Sequence, residues 1–202
     1  MKISIKTGLI VLAVIVFAVI GGCSFYTSTY NAMVSKGENV SGLWAQVENQ
    51  YQRRLDLIPN LVATVKGYAA HEAEVLEQVT EARSRAGGVL QVSDEVLNNP
   101  ESFRRFQQAQ SELSGALQRL LMVSENYPEL KANANFLALQ DQLEGTENRI
   151  AVERNRFNDV VRDYNAYIRK IPQVWIAQSN GFEQKAYFAA ETGAASAPTV
   201  SF

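Results

Sequence analysis

Two residues in this chain could serve as a nucleophile or a base near neutral pH, and each stands alone. The 202-residue sequence holds one histidine, His71, and one cysteine, Cys23. A Ser-His-Asp or Cys-His hydrolase would have to work through His71. The surrounding KGYAAHEAEVLEQ supplies no glycine elbow and no second base, so His71 reads as a surface or packing residue of a helix. One Cys and one His cannot complete a four-ligand zinc site. A di-iron carboxylate bundle needs two Glu-x-x-His pairs, which a single histidine excludes. Carboxylates at helical spacing, such as Glu144 and Glu147, occur on most solvated helix faces. Gly87-Gly88 is not followed by the Lys-Ser/Thr of a phosphate loop. The residue inventory predicts no catalytic site, no metal and no cofactor.

The elements around these residues set the rest of the reading. The chain carries 19 basic and 21 acidic residues for a net charge of −2. It therefore has no large cationic field, and nucleic acid is not an expected partner. A hydrophobic fraction of 47% with only 5 prolines fits a folded helical chain. The length suggests one N-terminal segment and one domain.

Lys2 and Lys6 precede GLIVLAVIVFAVIGG, the uncharged run from Gly8 to Gly22. A basic flank before an apolar stretch leaves the basic side in the cytoplasm and places the downstream chain outside. Two anchors are compatible with it. Ile20-Gly21-Gly22-Cys23 resembles a lipobox, in which residues 1–22 are a signal peptide and Cys23 carries the lipid. Alternatively a helix from about Ile5 to Tyr26 is retained as a signal anchor, long enough for the ~30 Å hydrocarbon core. Phe25, Tyr26 and Tyr30 would then form an interfacial aromatic belt. Both give the same topology, with residues 23–39 leading from the membrane into the domain.

Beyond the anchor the pattern is helical throughout, with no strand signal. Val40, Trp44, Val47, Tyr51, Leu55 and Ile58 form one stripe of a first helix over about Tyr30–Leu57. Pro59 predicts a break or sharp kink, with Asp56 placed to cap the helix beyond it. A second helix carries Leu61, Val65, Tyr68, Val75, Val79, Ala82 and Ala86, and stops at Gly87-Gly88. Val89 to Asn98 reads as a loop with at most a helical turn after Ser93. Asn99-Pro100 restarts the chain as cap and first helical residue, and Phe103, Phe106, Leu113, Leu117 and Leu120 line a third helix. Tyr127-Pro128 restarts it again. Phe136, Leu143, Ile150, Phe157, Tyr164 and Ile171 then fall at seven-residue steps on a fourth helix ended by Pro172. Short connections predict an all-α, antiparallel up-down four-helix bundle over residues 40–175. Residues 176–202 form a short C-terminal segment and a tail, GAASAPTVSF, predicted to be disordered. A free carboxylate after Val200-Ser201-Phe202 is what a PDZ-like pocket holds, although a frayed end is the stronger reading. Arg54, Glu72, Gln110, Glu147 and Arg154 interrupt the stripes. They are either buried register-setting groups or edge residues left by helical drift.

From Tyr30 to Ile171 the chain resembles the LemA family. The resemblance is carried by Tyr30-Asn31, WAQVE from Trp44, QRRLDLIPNLVATVKGYAAHE from Gln52, VTEARSRA from Val79, ENYPELKANANF from Glu125 and LEGTENRIAVERNRFNDVVRDYN from Leu143, with the Pro172 region and Gly181-Phe182 after them. It implies an antiparallel, four-helix, bromodomain-like bundle behind one membrane segment, and no established activity, cofactor or substrate. Within the matched stretches Arg53, Arg54, Asp56, Pro59, Asn60, Tyr127, Pro128, Glu147 and Asn148 stand out as structural residues. Arg53, Arg54 and Asp56 flank the Pro59 position, where they can cap and pair with helix ends. Asn133 and Asn135 can bond neighbouring backbone.

The expected function is that of a non-catalytic cell-envelope scaffold or adaptor. It would sit in the bacterial inner membrane as a single-pass protein, or be lipid-anchored, with its domain on the periplasmic side. Its partners would be other envelope proteins, a membrane protease among the candidates. Self-association through the heptad surface is the alternative, and an enzyme of unknown type the weakest reading.

Overall fold

The computed structural model describes residues 5–90 and 93–188. The expectations for the tail and for Val200-Ser201-Phe202 fall outside them. Every regular element among the described residues is helical: α1 (Ile5–Tyr68), α2 (Ala73–Leu90), α3 (Ser93–Asn98), α4 (Pro100–Ser124), α5 (Pro128–Lys131), α6 (Ala134–Arg169) and α7 (Gln173–Ser179).

The largest departure from expectation is α1, 64 residues with Pro59 inside it. Anchor helix, first helix and the start of the expected second helix are one element. Proline at 59 has no N–H for the Leu55 carbonyl, the physical ground for expecting a break. The orphaned oxygen is satisfied from outside α1: Arg83 on α2 donates its Nε to Leu55 O at 2.9 Å. With that acceptor filled, α1 continues through the proline to Tyr68. Asp56 consequently caps nothing; it accepts from Gln52 one turn back.

The true interruption comes at Ala69–Glu72, where the chain turns before α2. His71 lies in this turn, exposed, and not on a helix as expected. The turn is held from α1 by Ala69 N donating to Val65 O. Tyr68, expected on a buried stripe, is 41% exposed. At its other end α2 continues past Gly87-Gly88 to Leu90. The two glycines do not end it, since a favourable C-cap needs a left-handed residue and none occurs there.

The Asn99-Pro100 restart is as expected. Asn99 Oδ1 accepts from Glu101 N and Ser102 N at 2.8 and 3.3 Å, and Pro100 takes the first helical position, where its missing N–H costs nothing. Tyr127-Pro128 starts only the four-residue α5. The long helix begins at a second cap, Asn133, whose Oδ1 accepts from Asn135 N and Phe136 N.

On α6 the heptad residues Phe136, Leu143, Ile150, Phe157 and Tyr164 are all buried. The sixth, Ile171, lies past the helix end and is 76% exposed, so Ile168 closes the stripe instead. The Ile171–Pro172 peptide is cis. Pro172 is both a stop and the cap position of α7, an element the residue pattern does not predict.

α6 runs opposite to α1 along its length: Lys36 pairs with Asp163, Arg54 with Glu147, and Tyr68 accepts from Asn133. α2 and α4 likewise meet in opposite senses, through Glu72 with Tyr127 and Arg85 with Glu112. Two apolar clusters fill the space between the helices. One gathers Leu55, Leu61, Val79, Leu113, Leu120 and Phe136 among others. The second is aromatic, built on Trp44, Tyr51, Phe103, Phe106 and Phe157.

Candidate functional site

Where the two clusters meet, the apolar stripes of three helices are interrupted at the same level. Arg54 on α1, Gln110 on α4 and Glu147 on α6 each occupy a stripe position there. Arg54 is the largest fully buried side chain, 1% exposed. Its Nη1 donates to Glu147 Oε1 at 2.7 Å and to Ser114 Oγ at 2.9 Å. Its Nη2 donates to the Gln110 side-chain and main-chain oxygens. The guanidinium also lies over the Tyr51 ring, 5.1 Å from its centroid. Arg54 Nε and Gln110 Nε2 are buried without partners.

A buried guanidinium carries a desolvation penalty of several kcal/mol, which the fork of partners offsets. Glu147 is the only anion in the set, and its side chain is 40% exposed. Solvent thus reaches the carboxylate and not the cation. Neither His71 nor Cys23 adjoins the cluster, whose one ionisable partner for Arg54 is the Glu147 carboxylate. Chemically the cluster can fix the register of three helices, and its cation is closed to any substrate.

The other residues singled out from the sequence do not converge. Arg53, Asp56, Pro59 and Asn60 lie on the exposed face of α1, and Asn148 on that of α6. Tyr127, half-buried, donates to Glu72 Oε1 at 3.1 Å. That bond, with burial and the adjacent negative charge, pushes its phenol pKa up. Arg154 stands over the Phe188 ring at 4.7 Å. Cys23 is exposed on an unbroken stretch of α1. Among the described residues no group of three or more His, Cys, Asp or Glu is arranged to hold a metal.

Sequence reasoning missed a second feature entirely. After α7 the chain reverses at Gly181, whose φ of +73° is the left-handed conformation that closes a helix. Phe182 N then donates to Ala177 O at 3.0 Å. Residues 182–188 run back along α6 as an extended strap. Two α6 asparagines seven residues apart grip its backbone. Asn165 donates to Lys185 O at 2.8 Å and accepts from Lys185 N at 2.9 Å. Asn158 does the same with Phe188, at 3.0 and 2.9 Å. Gln107 on α4 adds a bond to Tyr187 O.

Phe188 enters the aromatic cluster, its ring 5.0 Å from Phe103, 5.5 Å from Phe157 and 6.0 Å from Trp44. Lys185 donates to Asn98 Oδ1. Burial lowers its pKa, partly countered by the nearby Glu183. Burial and then Glu183 raise that of Tyr164. The strap closes a groove that the α3–α4 and α6 faces would otherwise leave open. The one cue in the sequence is the Asn158/Asn165 pair at heptad spacing.

At the opposite chain end, α1 contains one apolar stretch, wholly exposed, with a mean hydropathy of 2.6 in its most apolar window. Among the described residues it alone is long and apolar enough to cross a membrane.

The LemA family model matches residues 43–202. The chain is 26% identical to magnetosome protein MamQ of Magnetospirillum gryphiswaldense over 194 residues, 89% of this chain and 71% of that one. It is equally 26% identical to magnetosome protein MamQ 2 of Paramagnetospirillum magneticum, over 79% of this chain and 64% of the relative. It therefore spans less than two thirds of that second protein's length.

Proposed function

We propose that this chain, which belongs to the LemA family, is a membrane-anchored scaffold or adaptor that acts by binding other cell-envelope proteins and not by catalysis. The observation that carries this reading is the division of its surface chemistry. An exposed apolar span continues without interruption into a packed helical body, while the Arg54 guanidinium is buried and its two terminal nitrogens are taken up by side chains of α4 and α6. We read α1, α2, α4 and α6 as an antiparallel up-down four-helix bundle; the opposed pairings of α1 with α6 and of α2 with α4 support it. Lys2 and Lys6 before the span favour a cytoplasmic N-terminus in a bacterial inner membrane and a periplasmic bundle.

We take the span to be retained as a signal anchor, since it is long and apolar enough to cross the bilayer. The intact mass of membrane-extracted protein, beside that of a Cys23→Ala variant, tests it. A chain starting at Cys23 with added acyl mass would replace the signal anchor with a lipid anchor. The adaptor role is tested by in-cell photo-crosslinking of the full chain at native expression. A reproducible membrane-protein partner supports it, and an empty result rejects it. The self-association alternative drew on the α6 heptad, whose residues Phe136 to Tyr164 are buried within the chain itself; this removes its motivation. The relatives are named for the magnetosome, and at 26% identity no partner is carried over from them.

A further inference from the structure

We propose that α7 and the Ile171–Pro172 corner before it lie in the interfacial layer of the bilayer, with Ile171 and Trp175 inserted among the lipid headgroups. This rests on the reading of α1 as the membrane anchor. It adds a second, reversible contact with lipid made by the far end of the domain sequence.

The position of α7 is fixed by α1. From Thr7 to Ser35 there are 29 residues without a charge, bracketed by Lys6 and Lys36. At 1.5 Å per residue that is about 44 Å, more than the ~30 Å hydrocarbon core requires. A core that begins beside Lys6 takes about 20 residues and ends near Tyr26, so Tyr26 sits at the edge of the headgroup layer. Tyr26 is where α7 docks: its hydroxyl and the Asn180 side chain exchange hydrogen bonds at 3.2 and 3.1 Å. One turn on, the Tyr30 ring meets Phe182 edge to face at 5.6 Å. The α6 end arrives at the same level, because Lys36 pairs with Asp163 and α6 descends from there to Arg169.

On this tethered corner Ile171 is 76% and Trp175 64% exposed, the highest values among the described large apolar residues beyond the anchor run. Ala177, on the other face of α7, is buried in the aromatic cluster, so the exposure is not a loosely packed helix. Tryptophan has an apolar body and one N–H donor, the combination that favours the membrane interface. Lys170, exposed beside Ile171, is placed for a lipid phosphate. Asp163, the nearest α6 acid, is already paired with Lys36, and Glu183 lies on the strap side. Two side chains are too few for a protein interface, which needs roughly 1,000 Å², whereas single Trp and Tyr side chains are enriched at the membrane–water interface of proteins already anchored there. A lipid carried on Cys23 would still hold Tyr26, three residues away, close to the headgroups, but without a spanning helix to set the tilt of the body.

The sequence contains two tryptophans, and this makes the test direct. Trp44 is 3% exposed and about 33 Å along α1 from Gly22. The full chain is reconstituted in phosphatidylcholine vesicles, plain or with acyl chains brominated near the headgroup, and tryptophan emission is compared. Contact of one indole of two with lipid should quench roughly half of the emission. Trp175→Phe should abolish the quenching, and Trp44→Phe should leave nearly all of the remaining emission quenchable. Equal emission in the two vesicle types, from chain that resists carbonate extraction, would overturn this proposal and leave the anchor reading standing. Chain released by carbonate would overturn both.

Discussion

Removing Arg83 should cost stability only while proline occupies position 59. In the native chain Arg83 Nε fills the Leu55 carbonyl that Pro59 leaves without a donor. A hydrogen bond from a charged donor contributes about 1.5–3 kcal/mol. Arg83 is half-buried, so Arg83→Ala should cost about 1.5–2 kcal/mol, at the lower end of that range. Pro59→Ala gives residue 59 an N–H that can reach Leu55 O along the helix, and it relieves a mid-helix proline worth about 3 kcal/mol against alanine in isolated helices. Because Arg83 already recovers part of that loss, the single change should stabilise by about 1–2 kcal/mol. In the Pro59→Ala background the Arg83→Ala change should then cost less than about 0.5 kcal/mol. The coupling is on the order of 1 kcal/mol, within the range for residues sharing one acceptor. Urea unfolding of the full chain in mild detergent, followed by Trp44 fluorescence, measures all four corners of the cycle. Equal costs of Arg83→Ala in the two backgrounds would refute the idea that Arg83 is what allows α1 to pass through Pro59.

Further expectations concern the buried cluster and the strap. Glu147→Ala leaves the Arg54 guanidinium buried without an anion; solvent access to the carboxylate reduces the loss to about 2 kcal/mol. The Arg54→Met/Glu147→Leu double variant should unfold at a higher urea midpoint than Glu147→Ala alone. Asn158→Ala and Asn165→Ala each remove two bonds to the strap, about 1–2 kcal/mol of local stability. Hydrogen exchange at the Phe188 and Lys185 amides should rise by about tenfold or more, with little change in the α2 amides. Lys185 has a lowered pKa when the strap is bound, so the released strap binds more protons and attachment tightens as pH rises through that lowered value toward 10.5. Tyr164, raised instead, acts in the opposite sense only above 10. Exchange protection of the strap, corrected for intrinsic rates, should therefore grow with pH below 10, and Lys185→Met should flatten that growth.

Features governed by neighbouring residues are legible in the sequence, and features governed by another helix are not. Asn99-Pro100 and Asn133 cap their helices through their own side chains and the next three residues, so local pattern suffices. The stripes from Val40 to Ile58 and from Phe103 to Leu120 are likewise properties of single helices. Pro59 misleads because the donor that neutralises it stands on α2. Periodicity places Arg54, and not the adjacent Arg53, on the apolar stripe; that Arg54 is buried and not an edge residue is settled only by the meeting of Gln110, Ser114 and Glu147 at one level. The strap has no periodicity to detect, since its backbone bonds go to side chains. Ile171 completes a numerical heptad on a helix that has already ended at Arg169.

The unbroken α1 has a consequence for how any partner is met. A body joined to its anchor through a flexible linker samples many orientations, and the linker can grow without changing what is presented. Here lipid span and body share one helical screw, which advances 1.5 Å and turns 100° per residue. One residue inserted between Gly22 and Phe25, ahead of the Tyr26 and Tyr30 contacts with the body, would raise the body by only 1.5 Å but swing it through more than a quarter turn about the helix axis. Height above the bilayer and compass bearing within it are thus set together by the same short stretch of sequence. On the adaptor reading proposed above, a binding face would be aimed as well as tethered, and its natural counterpart would be a partner whose own orientation in the membrane is equally constrained.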